Sequence, residues 1–209
     1  MRNFLFYVVS LSFISSIALA QQTEDIELLS PNKTGGKSIM EAIAERKSVR
    51  SFDSKDLSPQ QLSDLLWAAN GVSRPDGKLT APSAMNKQDI TLYALTKKGV
   101  YLYDAQSHSL KGLVDGDHRE KVSNGNNDAP IIIVLVSDIS KFGRNDDFSK
   151  MLGAMDAGFV GQNIYLYCSG NGLATVTRAS FNKDALTELL NLSETQILML
   201  NHPVGYPKN

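Results

Sequence analysis

The sequence contains almost no cysteine, since Cys168 is the single one among 209 residues. A lone thiol cannot form an intramolecular disulfide, so the chain depends on its hydrophobic core for stability. Basic residues are not in excess either, because 21 lysines and arginines stand against 22 acidic residues. Without a long basic run the sequence lacks the electrostatic pattern of a nucleic-acid-binding protein, and we expect no such partner.

Histidine is also scarce, with His108, His118 and His202 as the three in the chain. They are widely spaced and lack neighbouring ligand-type side chains, so we expect structural or surface roles and no metal site. Cys168 falls within a predicted helix, where a buried small hydrophobic residue is the expected role. None of these four side chains is therefore a candidate for catalysis.

The first 20 residues have the pattern of a secretory signal peptide. Arg2 supplies a positive charge, the stretch from Phe4 to Leu19 is largely apolar, and Ala18 and Ala20 give the small-residue cleavage pattern. The apolar run is interrupted by serines and is shorter than the roughly 20 residues of a membrane span. We therefore expect the peptide to be cleaved and the mature protein to be exported to the periplasm without a membrane anchor.

Removing 20 of the 209 residues leaves 189, a length that fits one domain with a sizeable core. Residues 21–37 are polar and turn-forming, which predicts a tether or an arm over the surface. Residues 38–209 then form the folded domain.

Helix signals occur at four places in this domain. Ser38 and Glu41 form a capping box before a short helix with an apolar stripe, and Ser58 precedes a second helix that begins with proline. The stretch from Phe148 to Ser169 has apolar residues around much of the helix, which predicts a helix buried in the core. A fourth helix is expected over about Lys183 to Leu190.

Strand signals lie mostly between and after these helices. Residues 131–136 form a continuous β-branched run, which is typical of a central strand buried on both faces. Residues 90–95 and 100–103 predict a hairpin, and residues 173–177 and 196–200 predict two further strands. Along the chain, helices come first and strands mixed with helices follow. This order favours an α+β fold over a doubly wound parallel sheet.

Three polar segments could form a binding site. Arg46-Lys47-Ser48-Val49-Arg50 can bind a dianionic phosphate or can be a solvated helix end. Pro82-Ser83-Ala84-Met85-Asn86-Lys87-Gln88 closes a long loop, and it can bring polar groups to a ligand or form an ordinary turn. Gly170-Asn171-Gly172 allows close backbone approach to a ligand or serves as a helix C-cap.

The order and spacing of these segments, followed by Val204-Gly205-Tyr206-Pro207, resemble the nitroreductase family over nearly all of residues 38–208. The resemblance implies an α+β fold with a mostly antiparallel central sheet flanked by helices. It also implies a homodimer that binds FMN at the subunit interface, with each flavin contacted by both chains.

The resemblance assigns the flavin phosphate to Arg46 and Ser48, with assistance from Lys47. Arg50 is placed near the N1 and C2 carbonyl side of the ring, where a cation favours the reduced flavin. Many family members carry two basic residues after the Gly-Tyr-Pro segment, whereas here Lys208 is followed by Asn209. Lys208 can take one of those roles, so phosphate binding is expected to depend more on Arg46 and Lys47.

The remaining site residues are also carried over from the family. Pro82, Ser83 and Asn86 are expected to reach the flavin of the partner subunit, and the backbone around Gly172 and Leu173 to face the N5 edge of the ring. The flavin itself carries the chemistry at N5, so no catalytic side chain is assigned.

The resemblance implies ping-pong reduction of nitroaromatic, quinone or similar small acceptors. The Gly170–Gly172 pair lacks the strand and third glycine of a dinucleotide fingerprint, so NAD(P)H would visit only transiently as a donor. Residues 99–104 with His108 and Leu110 are similar to the SagB-type branch, which gives an alternative activity of azoline oxidation. A non-catalytic flavin-binding protein is the third reading.

Overall fold

A computed structural model describes residues 23–122 and 129–208, so the predicted signal peptide lies outside the described residues. Within these ranges the chain forms four α-helices and seven strands, joined in places by short 3₁₀ turns. In chain order the elements are β1 (Ile26–Glu27), α1 (Ile39–Glu45), α2 (Pro59–Asn70), β2 (Ile90–Thr96), β3 (Gly99–Asp104), β4 (Ser109–Asp115), β5 (Ile131–Asp138), α3 (Asp147–Gly170), β6 (Ala174–Thr175), α4 (Lys183–Leu189) and β7 (Gln196–Gly205).

The helices begin where the sequence places their caps. Ser38 and Ser58 each accept a hydrogen bond from the third residue of the following helix, whose side chain bonds back to the cap amide. These reciprocal bonds satisfy amides that the first turn leaves without partners. The backbone of Arg46 leaves the helical region, so α1 ends immediately before the basic segment.

The sheet is antiparallel throughout, in the order β1-β4-β3-β2-β5-β7-β6. β5 lies between β2 and β7, and its side chains alternate between two hydrophobic clusters on opposite faces. Ile131, Ile133 and Leu135 join the larger cluster, while the residues between them join the smaller one. The predicted central strand and the α+β class are confirmed.

The sequence patterns missed β4 and shortened β7. β4 contains Gly112 and alternates poorly, and an added Cβ at Gly112 would lie 1.9 Å from the Thr23 carbonyl oxygen. The glycine therefore lets the N-terminal arm cross the strand. β7 continues past residue 200, where the prediction ended. The prediction stopped there because the buried polar residues Asn201 and His202, and then Pro203, interrupt the apolar pattern of the strand.

The N-terminal arm, residues 23–37, lies along the surface and is fixed at several points. Ile26 pairs with Leu110 in the short strand β1, and the Leu29 carbonyl accepts the Ser63 hydroxyl at 2.5 Å. The amide of Lys37 donates to the Gly170 carbonyl at 3.0 Å. The arm thereby connects the sheet edge to the end of α3.

The predicted burial of α3 in the core does not extend to one face of the helix. Ala157, Val160 and Ile164 are buried, but Phe148, Met151, Met155 and Phe159 are between 44% and 54% exposed. These four residues recur at intervals of three and four, which places them on one side of the helix. The predicted apolar stripe of α1 is exposed as well, at Ile39, Met40 and Ile43. In residues 23–122 and 129–208, no helix combines the length and apolarity needed to cross a membrane.

A buried pair of carboxyl groups fastens α3 to the loop before β2. Both oxygens of Asp156 accept the Ala84 amide hydrogen, at 2.8 and 3.0 Å. Asp89 accepts the Ser137 hydroxyl at 2.5 Å through Oδ2, and among the described residues its buried Oδ1 has no hydrogen-bond partner unless a proton is shared with Asp156. Burial, and then the hydrogen bond with Asp89, raises the pKa of Asp156 to about 7. Two adjacent buried carboxyl groups are best accommodated with one shared proton.

We expect the variant D156N to remove a pH-dependent loss of stability. Asp156 holds its proton more tightly in the folded chain than in the unfolded chain, where its pKa is the ordinary 3.8. The stabilisation is therefore complete below that unfolded value and is lost as the pH rises towards about 7. Between about pH 5 and pH 8, the melting temperature should fall roughly 5 °C more for the unsubstituted protein than for D156N.

The measurement is thermal unfolding followed by circular dichroism. D115N is the matched control, because Asp115 is an exposed carboxylate at the end of β4. Its pH profile should parallel that of the unsubstituted protein. Parallel profiles for D156N as well would contradict a shared proton at this pair.

Candidate functional site

The basic segment that follows α1 is held in an extended conformation against the sheet. The Val49 amide donates to the Thr175 carbonyl at 2.9 Å, and the Asp53 amide donates to the Tyr206 carbonyl at 2.9 Å. Phe52 is buried in a small hydrophobic cluster and forms an isolated β-bridge with Pro207. The segment is thus fixed between β6 and the residues after β7.

A pocket with a volume of about 190 Å³ lies beside this segment. Three predicted site residues, Lys47, Gly172 and Leu173, line it. The other lining residues come from the arm, α1, α3, β6 and the chain after β7: Lys37, Glu45, Val49, Tyr165, Cys168, Ser169, Ala174, Thr175 and Pro207.

Tyr165, which the sequence did not single out, connects the basic segment to α3. Its hydroxyl oxygen is 2.7 Å from the Ser48 hydroxyl and accepts the Thr177 amide hydrogen at 2.9 Å. The Arg46 guanidinium lies over its ring, 5.0 Å from the centroid. Burial raises the pKa of Tyr165, but the hydrogen bonds from Ser48 and Thr177 and the charge of Arg46 together lower it below its usual value. Arg46 and Ser48 therefore both contact Tyr165, which lines the pocket.

His202 supports Tyr165 from the core side. It is fully buried, its ring lies edge-on to Tyr165 with centroids 5.7 Å apart, and it is 3.2 Å from the Thr177 hydroxyl. Burial, and then the charge of Arg178, lowers the pKa of His202 to about 3. The imidazole is consequently neutral at ordinary pH and serves a packing role.

The turn after α3 opens the backbone towards the pocket. Gly172 has a φ of 70°, a conformation that favours glycine, and an added Cβ would meet no atom within 4 Å. The Leu173 amide donates to the Cys168 carbonyl at 2.9 Å, as in a helix C-cap. The turn is thus a helix C-cap whose glycine lines the pocket.

The loop that contains Pro82, Ser83 and Asn86 does not line this pocket. It forms a 3₁₀ turn from Ala84 to Asn86 in which Met85 has a φ of 52° and is 67% exposed. Left-handed backbone at a non-glycine residue costs about 1–2 kcal/mol, and the bonds to Asp156 hold the turn in that shape.

The last two predicted site residues, Arg50 and Lys208, are exposed and do not line the pocket. The Lys208 amide donates to the Ser51 carbonyl at 3.2 Å, so the C-terminal residues run beside the basic segment. The structure therefore brings three of the ten predicted residues to the pocket, and two more, Arg46 and Ser48, contact Tyr165 in its wall. In the described part of the chain, no group of three or more histidine, cysteine or acidic residues could hold a metal ion.

Gly161 should be essential to the packing of the site. A Cβ added there would lie 2.9 Å from His202 Nε2, so G161A should destabilise the protein by about 1–3 kcal/mol. Gly158 lies in the same helix with no atom within 4 Å of an added Cβ, and G158A should leave stability unchanged or raise it by about 0.5–1 kcal/mol. Urea unfolding measures both, and equal effects would refute the close contact with His202.

Known proteins resemble this chain in sequence and in structure. The model of the Nitroreductase family matches residues 43–206. A Methanocaldococcus jannaschii protein assigned as a nitroreductase is 28% identical over 178 residues, which cover 79% of this chain and 89% of that protein.

Solved structures have the same fold. A crystal structure from Ralstonia eutropha, assigned as a nitroreductase, is 32% identical, covers 90% of this chain and 91% of its own, and has a TM-score of 0.84. A second one, from Parabacteroides distasonis, is 20% identical over 82% of this chain and 88% of its own, with a TM-score of 0.56. The extent of the family match, together with the shared fold, shows that this chain belongs to the nitroreductase family of oxidoreductases.

Proposed function

We propose that this protein is an exported, homodimeric, FMN-dependent oxidoreductase that reduces nitroaromatic, quinone or similar small acceptors. The observation that carries the proposal is that Lys47 and the open turn at Gly172 line one pocket, and that Arg46 and Ser48 both contact Tyr165 in its wall. A phosphate group needs charged and hydroxyl donors, and a planar ring needs close backbone approach. Both are supplied within this pocket.

The charge of the pocket suits an anion. Glu45 lies at its edge, but it forms an ion pair with Lys37, which offsets its charge. Arg46, Lys47 and Arg50 are then the cations closest to Ser48 along the chain, and Lys47 is the one among them that lines the pocket. An arginine can bind phosphate oxygens with two parallel hydrogen bonds, and a lysine adds a point charge.

The size of the pocket favours a site shared by two chains. Its volume of about 190 Å³ is below the roughly 300–1,000 Å³ of most ligand pockets. The loop from Pro82 to Gln88 carries the remaining predicted flavin contacts and lies outside this pocket, so we assign it to the flavin of the partner subunit. The same α3 helix that holds this loop also exposes a row of apolar side chains.

These exposed side chains fit a dimer interface. Phe148, Met151, Met155 and Phe159 lie on one side of α3 and form an unusually apolar surface for a helix facing water. Aromatic residues and methionine are enriched in protein interfaces. We therefore propose that a second copy of the chain covers this side of α3.

Bound FMN would supply electron transfer at N5 of its ring. The chain provides position and charge: Arg46, Lys47 and Ser48 hold the phosphate, and Arg50 supplies a cation on the ring side. Because the Leu173 amide is already bonded to Cys168, we assign the close backbone contact with the ring to Gly172. The name of the Parabacteroides distasonis protein includes NAD(P)H nitroreductase, which favours NAD(P)H as a transient donor. For an exported enzyme, another electron carrier is an alternative donor.

The purified protein should be yellow, should bleach anaerobically with a suitable donor, and should regain its colour when a nitroaromatic or quinone is added. R46A/R50A should purify colourless and bind added FMN at least about 100-fold more weakly, since charge-assisted hydrogen bonds contribute about 1.5–3 kcal/mol each. Visible absorbance and fluorescence titration measure these effects.

K98A/K183A is the control for R46A/R50A, because it removes two exposed charges away from the pocket. It should retain its flavin. Full flavin content in R46A/R50A would refute the phosphate assignment, and flavin that no donor bleaches would favour a non-catalytic flavin protein.

M155D should dissociate the dimer and release flavin, because it places a charge within the apolar side of α3. T187D adds the same charge on exposed α4 and should leave the dimer intact. Light scattering coupled to size-exclusion chromatography gives the mass of each variant. A dimeric M155D, or a monomeric unsubstituted protein with full flavin content, would be inconsistent with an interface at α3.

A further inference from the structure

The hydroxyl groups of Ser48 and Tyr165 form a hydrogen-bonded pair in which either oxygen can be the donor. An amide can only donate, so the Tyr165 oxygen accepts the Thr177 hydrogen at 2.9 Å. Tyr165 retains one hydrogen of its own, and the Ser48 oxygen is its neighbour at 2.7 Å. When an anion approaches Ser48, Tyr165 can donate to the Ser48 oxygen, so that the hydrogen of Ser48 is free to point towards the anion. The serine then presents a donor, which is what an anion requires.

The ring of Tyr165 also orients Arg46. The guanidinium lies over the ring, 5.0 Å from its centroid, in a cation–π contact. An arginine held in such a contact can still offer N–H groups to a planar or bidentate ligand. One side chain thus sets the direction of two predicted phosphate contacts.

Tyr165 is well placed to do this because it is rigidly held. It projects from α3 next to fully buried Ile164, and His202 packs edge-on against its ring. Gly161, one turn earlier, leaves the space that His202 occupies. The hydroxyl is therefore fixed relative to the sheet and does not need to be ordered when a ligand binds.

We propose that Tyr165 is a positioning residue of the phosphate site, which directs the Ser48 hydroxyl and the Arg46 guanidinium towards the phosphate of the flavin. This role rests on the proposed FMN-dependent function. Its consequence is specificity: Tyr165 should contribute to binding of FMN, which carries the phosphate, and not to binding of riboflavin, which lacks it.

The test compares the dissociation constants of FMN and riboflavin by fluorescence titration of the apoprotein. Y165F keeps the ring under Arg46 and removes the hydroxyl, so it should weaken FMN binding about 5- to 10-fold and change riboflavin binding less than about 2-fold. Y167F is the control, because the Tyr167 hydroxyl on the same helix bonds the Gln61 carbonyl at 3.3 Å. It should leave both constants unchanged.

S48A provides a second variant that leaves α3 unchanged. It should give the same phosphate-specific loss, and the double variant S48A/Y165F should lose no more than about 2-fold beyond S48A, because both residues act through one chain of hydrogen bonds. A loss from S48A with none from Y165F would overturn the role of Tyr165. So would equal losses for FMN and riboflavin in Y165F, which would indicate a structural role. If the unsubstituted protein binds no FMN, the proposed function itself fails.

Discussion

The close approach of α3 to the sheet is the constraint on which the rest of the structure depends. Two glycines permit it: an added Cβ at Gly153 would lie 2.3 Å from the Ser137 hydroxyl, and one at Gly161 would lie 2.9 Å from His202 Nε2. With the helix at this distance, Asp156 reaches Ala84 and Tyr165 reaches Ser48. The loop and the basic segment are thus both fixed by the same helix.

This constraint also explains the polar residues in the core. Ser137, Asn201 and His202 are fully buried on strands that α3 or the chain after β6 covers. Each has a hydrogen-bond partner, which removes most of the cost of burying a polar group. Arg178 is half-buried and donates to the Asn201 side chain at 2.9 Å, so it fastens the chain after β6 to β7.

The sequence predicted the features that depend on local patterns. The capping boxes at Ser38 and Ser58 and the continuous run of β5 act over a few residues, and each appears where expected. The contacts between distant residues could not be predicted this way. Asp89 and Asp156 are 67 positions apart, and Ser48 and Tyr165 are 117 apart, with no periodic signal linking either pair. Tyr165 looked like one more apolar residue of a core helix. Likewise, a count of apolar residues could not show that one side of α3 remains exposed.

Neighbouring positions on α3 have opposite tasks. Met155 is 54% exposed, whereas Asp156, the next residue, is 2% exposed and holds the Ala84 amide. A single helical turn therefore presents the apolar surface outwards and positions the loop from Pro82 to Gln88 inwards. In the proposed dimer, that loop reaches the partner's flavin and Met155 contacts the partner chain. Since both residues belong to one rigid helix, assembly of the dimer and placement of the loop are mechanically coupled, and neither is expected to change independently of the other.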